Sequence, residues 1–420
     1  MVTKRTRLVG CESALMWLES KTNRGLLVFA SLTVLYFCSI FHRVGIAAVA
    51  SNLQTDFGTN ASILGLMSGM YFYSYSAAQI PAGLMADKFG IRKTLTLFGL
   101  VACLGNLLFS FSPTIAVLSV GRALVGFGVG GFYVCALKAF AVSYNRKRYA
   151  TYTGLFTSLG NVGAIAASSP LALLTLAFGW RDAFLVILFV MLAFVGVVWF
   201  SMNNPQDLPA ASKRRVFADL KTVFSNRELL KLAPVPFFVY GLFVSFQGLW
   251  VGPFLMQVYG MIQSVASYFF VFISVGFVVA FPLAGFLSDR TGRRKRVVMV
   301  GIVLSLVYWV IMAIFGGSLA SYQIVALFFF LGFSFGVTDI FLTIPVNLCP
   351  AEISGLAIGG LNMFNFVGGG FFQFFMGFLL DSTRQVGNVF FSYQIIFAVA
   401  VVCVLVSLIS ATRLDEGICH

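Results

Sequence analysis

The chain has 420 residues, of which 59% are hydrophobic and only 10% charged, with a mean hydropathy of +0.94. That leaves too little polar surface to cover a water-soluble fold of this length, so the main solvent is lipid. The net charge of +14 does not mark a nucleic-acid face, because Lys and Arg fall in short clusters between apolar runs and read as topology signals.

Within a bilayer the backbone must satisfy its own hydrogen bonds, as helices or as a closed barrel. The apolar runs here are long and do not alternate every second residue, so helices are expected. Six runs lie near 26–50, 62–85, 94–111, 114–140, 152–177 and 183–201, and six more near 232–258, 264–287, 297–315, 321–346, 355–380 and 391–411. Lys4, Arg5 and Arg7 resemble the start of a signal peptide. The first run, however, is long enough to span and no small-residue cleavage site follows it, so it reads as a retained helix. In the polar stretch between the two sets, Val216, Phe217, Leu220, Val223 and Phe224 recur near helical spacing among Lys and Arg. Either a short helix on the lipid surface or a solvated linker fits. Cys11, Cys38, Cys103, Cys135, Cys349, Cys403 and Cys419 form no C-x-x-C pair, so neither a disulfide framework nor a metal site is expected.

An even number of spans puts both termini on one side, and the basic residues choose it. Clusters before the first run (Lys4 to Arg24), after the second (Lys88, Arg92, Lys93), after the fourth (Arg146 to Arg148), in the central stretch (Lys213 to Lys231) and after the eighth (Arg290 to Arg296) all fall on that side. The opposite loops hold only Arg181 and Arg384. Both termini are therefore expected in the cytoplasm and the chain in the cell (inner) membrane, in contact with lipid.

The second and eighth runs end in the same motif. Gly83, Asp87, Gly90 and Arg92 match Gly285, Asp289, Gly292 and Arg294 in the pattern G-x-x-x-D-[KR]-x-G-x-R-K. Further on, Gly126, Gly130, Gly154 and Gly163 match Gly332, Gly336, Gly360 and Gly369 at one constant offset. A duplication of this kind is a common transporter plan, with the binding site between the halves. The expected fold is an all-α membrane protein of 12 transmembrane helices in two pseudo-symmetric six-helix bundles. Its segments are a cytoplasmic piece over 1–25, bundles over 26–201 and 232–411, a linker over 202–231 and a tail over 412–420.

The loop motif, with Arg122 and then Gly126, Gly128 and Gly130 on the fourth run, resembles the major facilitator superfamily over the whole chain. The resemblance implies that Asp87 and Asp289 cap neighbouring helices and pair with Arg92 and Arg294 on the cytoplasmic face. It also implies alternating access and transport of a small solute. Gly154, Gly160 and Gly163 partly match the family's antiporter-type pattern, but Asn161 stands where that pattern has proline.

A charge inside the bilayer costs about 2.5–3.5 kcal/mol even on lenient scales. Arg43, Arg122, Lys138 and Asp339 therefore each call for a reason. Tyr36, Ser39 and Arg43 share a face of the first run, and Arg122 lies at similar depth on the fourth. With no acid beside either arginine in sequence, both read as anion contacts, the guanidinium fork suiting a carboxylate or phosphate. The alternative for Arg122 is a structural grip on the first helix or a backbone carbonyl. The stretch Phe41-His42-Arg43 is similar to organic-anion members of the superfamily, with His42 in place of their Asp and Val129 in place of their helix-four Glu. His42 is either the titrating substitute, with an unperturbed pKa near ~6.5, or a structural histidine. Tyr240, Gln247, Asn362 and Asn365, with Gln373, Tyr75 and Gln79, either orient a polar ligand or join helices. Lys138 and Asp339 are expected to form an inner gate across the fourth and tenth runs, or else to reach headgroups and cavity water separately.

No phosphate-cradling G-x-x-x-x-G-K-[ST] loop and no catalytic cluster occurs in the sequence, so an ATP-driven pump and an enzyme are disfavoured. The expected partner is a small organic anion such as a carboxylate or sugar acid, with protons as a candidate second solute, carried by a monomer without a cofactor. An amino-acid or dipeptide carrier, perhaps as uniporter, is the near alternative. A membrane sensor would call for an added soluble domain and a lipid flippase for a greasier cavity.

Overall fold

The computed structural model describes residues 22–143, 146–202, 222–348 and 351–415. All regular structure among them is helical. In chain order the helices are α1 (Thr22–Val44), α2 (Ile46–Phe57), α3 (Ala61–Phe89), α4 (Ile91–Ser110), α5 (Ile115–Ser143), α6 (Arg146–Ala166), α7 (Ser169–Phe178), α8 (Trp180–Ser201) and α9 (Arg227–Leu232). There follow α10 (Gly241–Ser245), α11 (Val251–Tyr259), α12 (Gln263–Thr291), α13 (Arg294–Phe315), α14 (Ser321–Thr338), α15 (Pro345–Leu348), α16 (Ala351–Thr383) and α17 (Val389–Thr412).

Ten of these segments are long and apolar enough to cross a membrane, eleven when the bent pair α6–α7 is one span. The remaining expected run, α3, is 29 residues long but carries Tyr71, Tyr73, Tyr75 and Gln79, which dilute its apolar character. The fifth run is not one straight helix. It bends by 42° between Ala166 and Ser169, just before Pro170, which has no N–H to donate to the preceding turn and whose ring crowds that turn's carbonyl. The seventh run begins earlier than expected, at Arg227, because Asn226 caps it by accepting from the N–H groups of Glu228 and Leu229. Of the expected linker helix, Val216, Phe217 and Leu220 lie outside the described residues. Val223 is buried, and Phe224 meets the Phe364 ring at 6.2 Å.

The chain divides into two compact units. The first comprises the residues up to His42, Ser74–Gly163 and Phe178–Arg214. The second comprises Arg43–Tyr73, Ala164–Ala177 and the rest from Arg215.

In the first unit α5 packs on α3 and α4 through small residues. A methyl group on Gly130 would sit 2.9 Å from the Cβ of Ala78, and one on Gly121 would sit 2.7 Å from the backbone nitrogen of Phe109. In the second unit Gly336, the repeat partner of Gly130, lies the same way against Ala280 of α12, at 2.8 Å. The glycine repeat is thus a repeat of helix contact. Lipid gives little hydrophobic drive for helix association, so close backbone approach supplies the packing instead. The loop motif repeats in the sign of one dihedral as well: Gly90 and Gly292 both have positive φ, 85° and 62°, which glycine adopts at little cost, though one precedes α4 and the other closes α12.

Candidate functional site

The polar candidates separate into two groups. In the first unit Arg122 is fully buried on α5. Its Nη1 donates to the carbonyl oxygen of His42 at 2.9 Å, and its guanidinium lies 6.0 Å from the Phe109 ring. Placed so, Arg122 grips the backbone of α1. The His42 ring is buried as well, 5.6 Å from Phe184 and 6.1 Å from Phe41, and its Nε2 meets no hydrogen-bonding group among the described residues. Tyr36 stacks on Phe156 at 4.8 Å and tilts against Tyr133 at 5.3 Å, at the place where Gly160 leaves room for its ring. Val129, on α5, is buried.

Lys138 and Asp87, also in the first unit, form an ion pair with Nζ and Oδ1 2.6 Å apart. The same Nζ donates to the Gly83 carbonyl oxygen at 2.7 Å. Lys138 is therefore engaged by the loop motif of its own unit, one short reach across the α3–α5 contact. Arg92 donates to the Met202 carbonyl oxygen at 3.4 Å and lies 4.8 Å from the Trp199 ring, tying the start of α4 to the end of α8. In the repeat Arg294 donates to the Thr343 carbonyl oxygen at 2.7 Å. Asp289 lies in the last turns of α12, its side chain outside the described residues.

The Lys138 and Asp87 side chains of this pair are 32% and 42% exposed. The pair should stabilise the protein by only about 0.2–1 kcal/mol after solvent screening. Lys138→Met and Asp87→Asn are each expected to lower the melting temperature of the detergent-purified protein slightly, and the double variant no further than the worse single. Fully additive losses would show that the two side chains act separately.

The second unit holds the other group. Arg43, half-buried on α1, sits with its guanidinium 5.3 Å from the Phe366 ring of α16. Asp339 lies within its electrostatic reach, and Tyr240 feels both charges. Asp339 is remote from Arg43 in sequence, and the fold brings it within that electrostatic reach. Tyr240 packs its ring on Phe335 at 5.4 Å and on Phe366 at 5.8 Å, so the Phe366 ring that Arg43 faces belongs to an aromatic cluster. On α16 the Asn365 amide nitrogen donates to the Asn362 side-chain oxygen at 3.0 Å. The Asn365 side-chain oxygen is buried with no protein partner among the described residues. Gln373, two turns on, is fully buried and neither of its amide atoms is bonded there. Gln247 is committed to Ser274, to which its Nε2 donates at 3.1 Å.

Irregular helix positions these groups. Tyr240 closes a π-helical turn over Val235–Tyr240, and Gln247 lies in a second over Phe246–Trp250. Asp339 opens a 3-10 turn over Asp339–Thr343, where α14 ends. Pro234 and Pro236 lack the N–H that regular α-helical bonding requires, which favours the first departure. Such turns frequently mark functional sites, because they re-aim side chains within a span. Proline positions near Tyr240 were the available signal in the sequence; nothing local marked the turn at Asp339.

Long apolar helices, a duplicated half and a polar cluster walled by aromatic rings define a multi-pass membrane transporter. The profile of the Major Facilitator Superfamily matches residues 32–373, and the chain belongs to that family. It is 26% identical over 380 residues to the probable sulfoacetate transporter SauU of Cupriavidus necator, covering 85% of this chain and 87% of that protein. It is 21% identical to the probable galactarate/D-glucarate transporter GudP of Escherichia coli, covering 94% and 96%. Among solved structures, a bacterial homologue of the human lysosomal transporter Spinster superposes with a TM-score of 0.75 at 19% identity, over 94% of this chain and 98% of that one.

Proposed function

We propose that the protein carries a small organic anion, a carboxylate, sulfonate or sugar acid, across the inner membrane by alternating access and without changing it chemically. Arg43 is the anion anchor. The observation that carries this reading is the Arg43 guanidinium 5.3 Å from the Phe366 ring, with Tyr240 packed on Phe366 and Phe335 and Asp339 within electrostatic reach. A guanidinium held in apolar walls binds an oxyanion far more strongly than one in water. The names of the relatives point to the same chemistry. Asp339 competes with the substrate for Arg43, so its protonation frees the guanidinium. Uptake should then rise as pH falls, with the proton travelling alongside the anion.

A zwitterionic amino acid is the second reading, favoured by the same pair: Arg43 would take the carboxylate and Asp339 the ammonium. The two readings part at Asp339→Asn. An anion carrier keeps its ligand affinity in that variant and loses its pH dependence, whereas an amino-acid carrier loses affinity outright.

The test is a thermal-shift screen of purified protein with sulfoacetate, D-glucarate, L-galactonate and sialic acid beside neutral sugars and amino acids, followed by uptake into liposomes. Saturating binding at 100 times the dissociation constant should stabilise the protein by about 2.7 kcal/mol. Stabilisation by an acid, absent in Arg43→Ala, supports the proposal. Stabilisation by neutral sugars alone would refute it.

A further inference from the structure

α3 begins at Ala61 and leaves its first N–H groups without partners inside the helix, as every helix does. One local cap is present: the Asn60 side-chain oxygen accepts from the N–H of Ile63 at 2.9 Å. Two further N–H groups are satisfied from far along the chain. Asp381, near the end of α16, accepts from the N–H of Ala61 at 3.1 Å through one carboxylate oxygen and from the N–H of Ser62 at 2.7 Å through the other. The Ser62 hydroxyl also donates to that second oxygen. All of these residues belong to the second unit.

Below this contact α3 and α16 meet on backbone. A methyl group on Gly69 would sit 2.9 Å from the Gly370 carbonyl oxygen, one on Gly65 would collide with the Gln373 carbonyl, and one on Gly377 with the Ala61 carbonyl. The seam is smooth, made of small residues, and Asp381 is its polar terminus. Three charge-assisted hydrogen bonds to one carboxylate, aimed at the positive end of a helix dipole, form a strong but separable contact, because water can serve the same N–H groups when it opens.

Alternating access requires this seam to part. α3 belongs to the first half of the chain and α16 to the second, and the contact lies at the end of α3 away from the loop motif, the side expected to face outward. We propose that Asp381 is the outer clasp of the carrier. It holds the external face closed by capping α3 from another helix, and its release is a step of every transport cycle. The proposal goes beyond the substrate reading and depends on no particular ligand.

The experiment places a reporter cysteine at Ser68, fully buried beside the seam, in full-length protein whose native cysteines are replaced by serine. Labelling by a membrane-impermeant maleimide added outside is followed in cells. Asp381→Ala is expected to speed labelling by about tenfold or more, since it removes all three bonds to the charged group. Asp381→Asn, which keeps one acceptor, should give a smaller rise, and Ser62→Ala a smaller one still. A second reporter at Ser305, buried in α13, controls for general loosening. Faster labelling at position 68 with none at 305 supports the clasp. Unchanged labelling at 68, or equal acceleration at both positions, overturns it.

Discussion

Replacing Arg43 by Lys is expected to weaken binding of the transported anion by about 10- to 100-fold while the protein still inserts and folds. The charge survives the exchange, but the planar fork does not. Lys presents a strongly hydrated point charge that cannot donate two parallel bonds to one oxyanion. A hydrogen bond to a charged group contributes about 1.5–3 kcal/mol, and the loss of one such bond sets this range. Lys also stacks less well over Phe366, whose ring lies 5.3 Å from the Arg43 guanidinium. The measurement is a ligand titration of purified wild type and variant, with uptake in liposomes as the second readout. Equal affinity in a well-folded Arg43→Lys protein would remove Arg43 from the site. The parallel Arg122→Lys variant should act differently. Arg122 holds the His42 carbonyl from a fully buried position, so its loss should lower thermal stability before it touches affinity.

Gly332→Ala should be the most damaging single methyl in the protein. The added carbon would collide with the carbonyl oxygen of Ile273 and stand 2.9 Å from the backbone nitrogen of Phe277. On the other side of the same contact, Gly276 lies against the Phe329 carbonyl in the same way. Backbone atoms cannot rotate aside as a flexible side chain does, so α12 and α14 would have to separate. Overpacking of this kind costs about 1–3 kcal/mol or more, and here the upper end applies. Gly285→Ala is the control, since nothing lies within 4 Å of its would-be methyl. Alanine there should be neutral or stabilising, because it removes the entropy cost of a mid-helix glycine, about 1 kcal/mol. Melting curves and the fraction of monodisperse protein in detergent decide the matter. Equal stability of the two variants would mean that α12 and α14 are not in close contact at Gly332.

These two predictions draw on different kinds of information. The duplicated glycines and the loop motif were visible in the chain because they recur at fixed spacing, and because positive φ at Gly90 and Gly292 is a local demand that only one residue type meets easily. The apolar runs were visible for a similar reason. Lipid imposes a minimum length and forbids unpaired backbone, so each span announces itself without reference to its neighbours. The departures fell where local rules compete: a single residue makes the bend before Pro170, inside the fifth run, and another makes the early start at Asn226, at the beginning of the seventh.

Membership of the membrane-transporter class, the twofold repeat and the short list of intramembrane charges were determined by the sequence alone, through hydrophobic length, periodicity and the cost of burying charge. The pairing of those charges was decided only by the tertiary structure. Reading along the chain offered Asp339 as one of two alternatives for Lys138 and placed no acid beside Arg43. The fold sets Lys138 on Asp87, brings Asp339 within electrostatic reach of Arg43, and sets Asp381 on the N–H groups of Ala61 and Ser62 across 320 and 319 residues. A Coulombic or hydrogen-bonded partner is chosen by distance in space, and distance in space depends on which helices pack and at what rotation. Those choices rest on backbone approaches such as Gly65 on Gln373 and Gly69 on Gly370, which have no counterpart in local sequence.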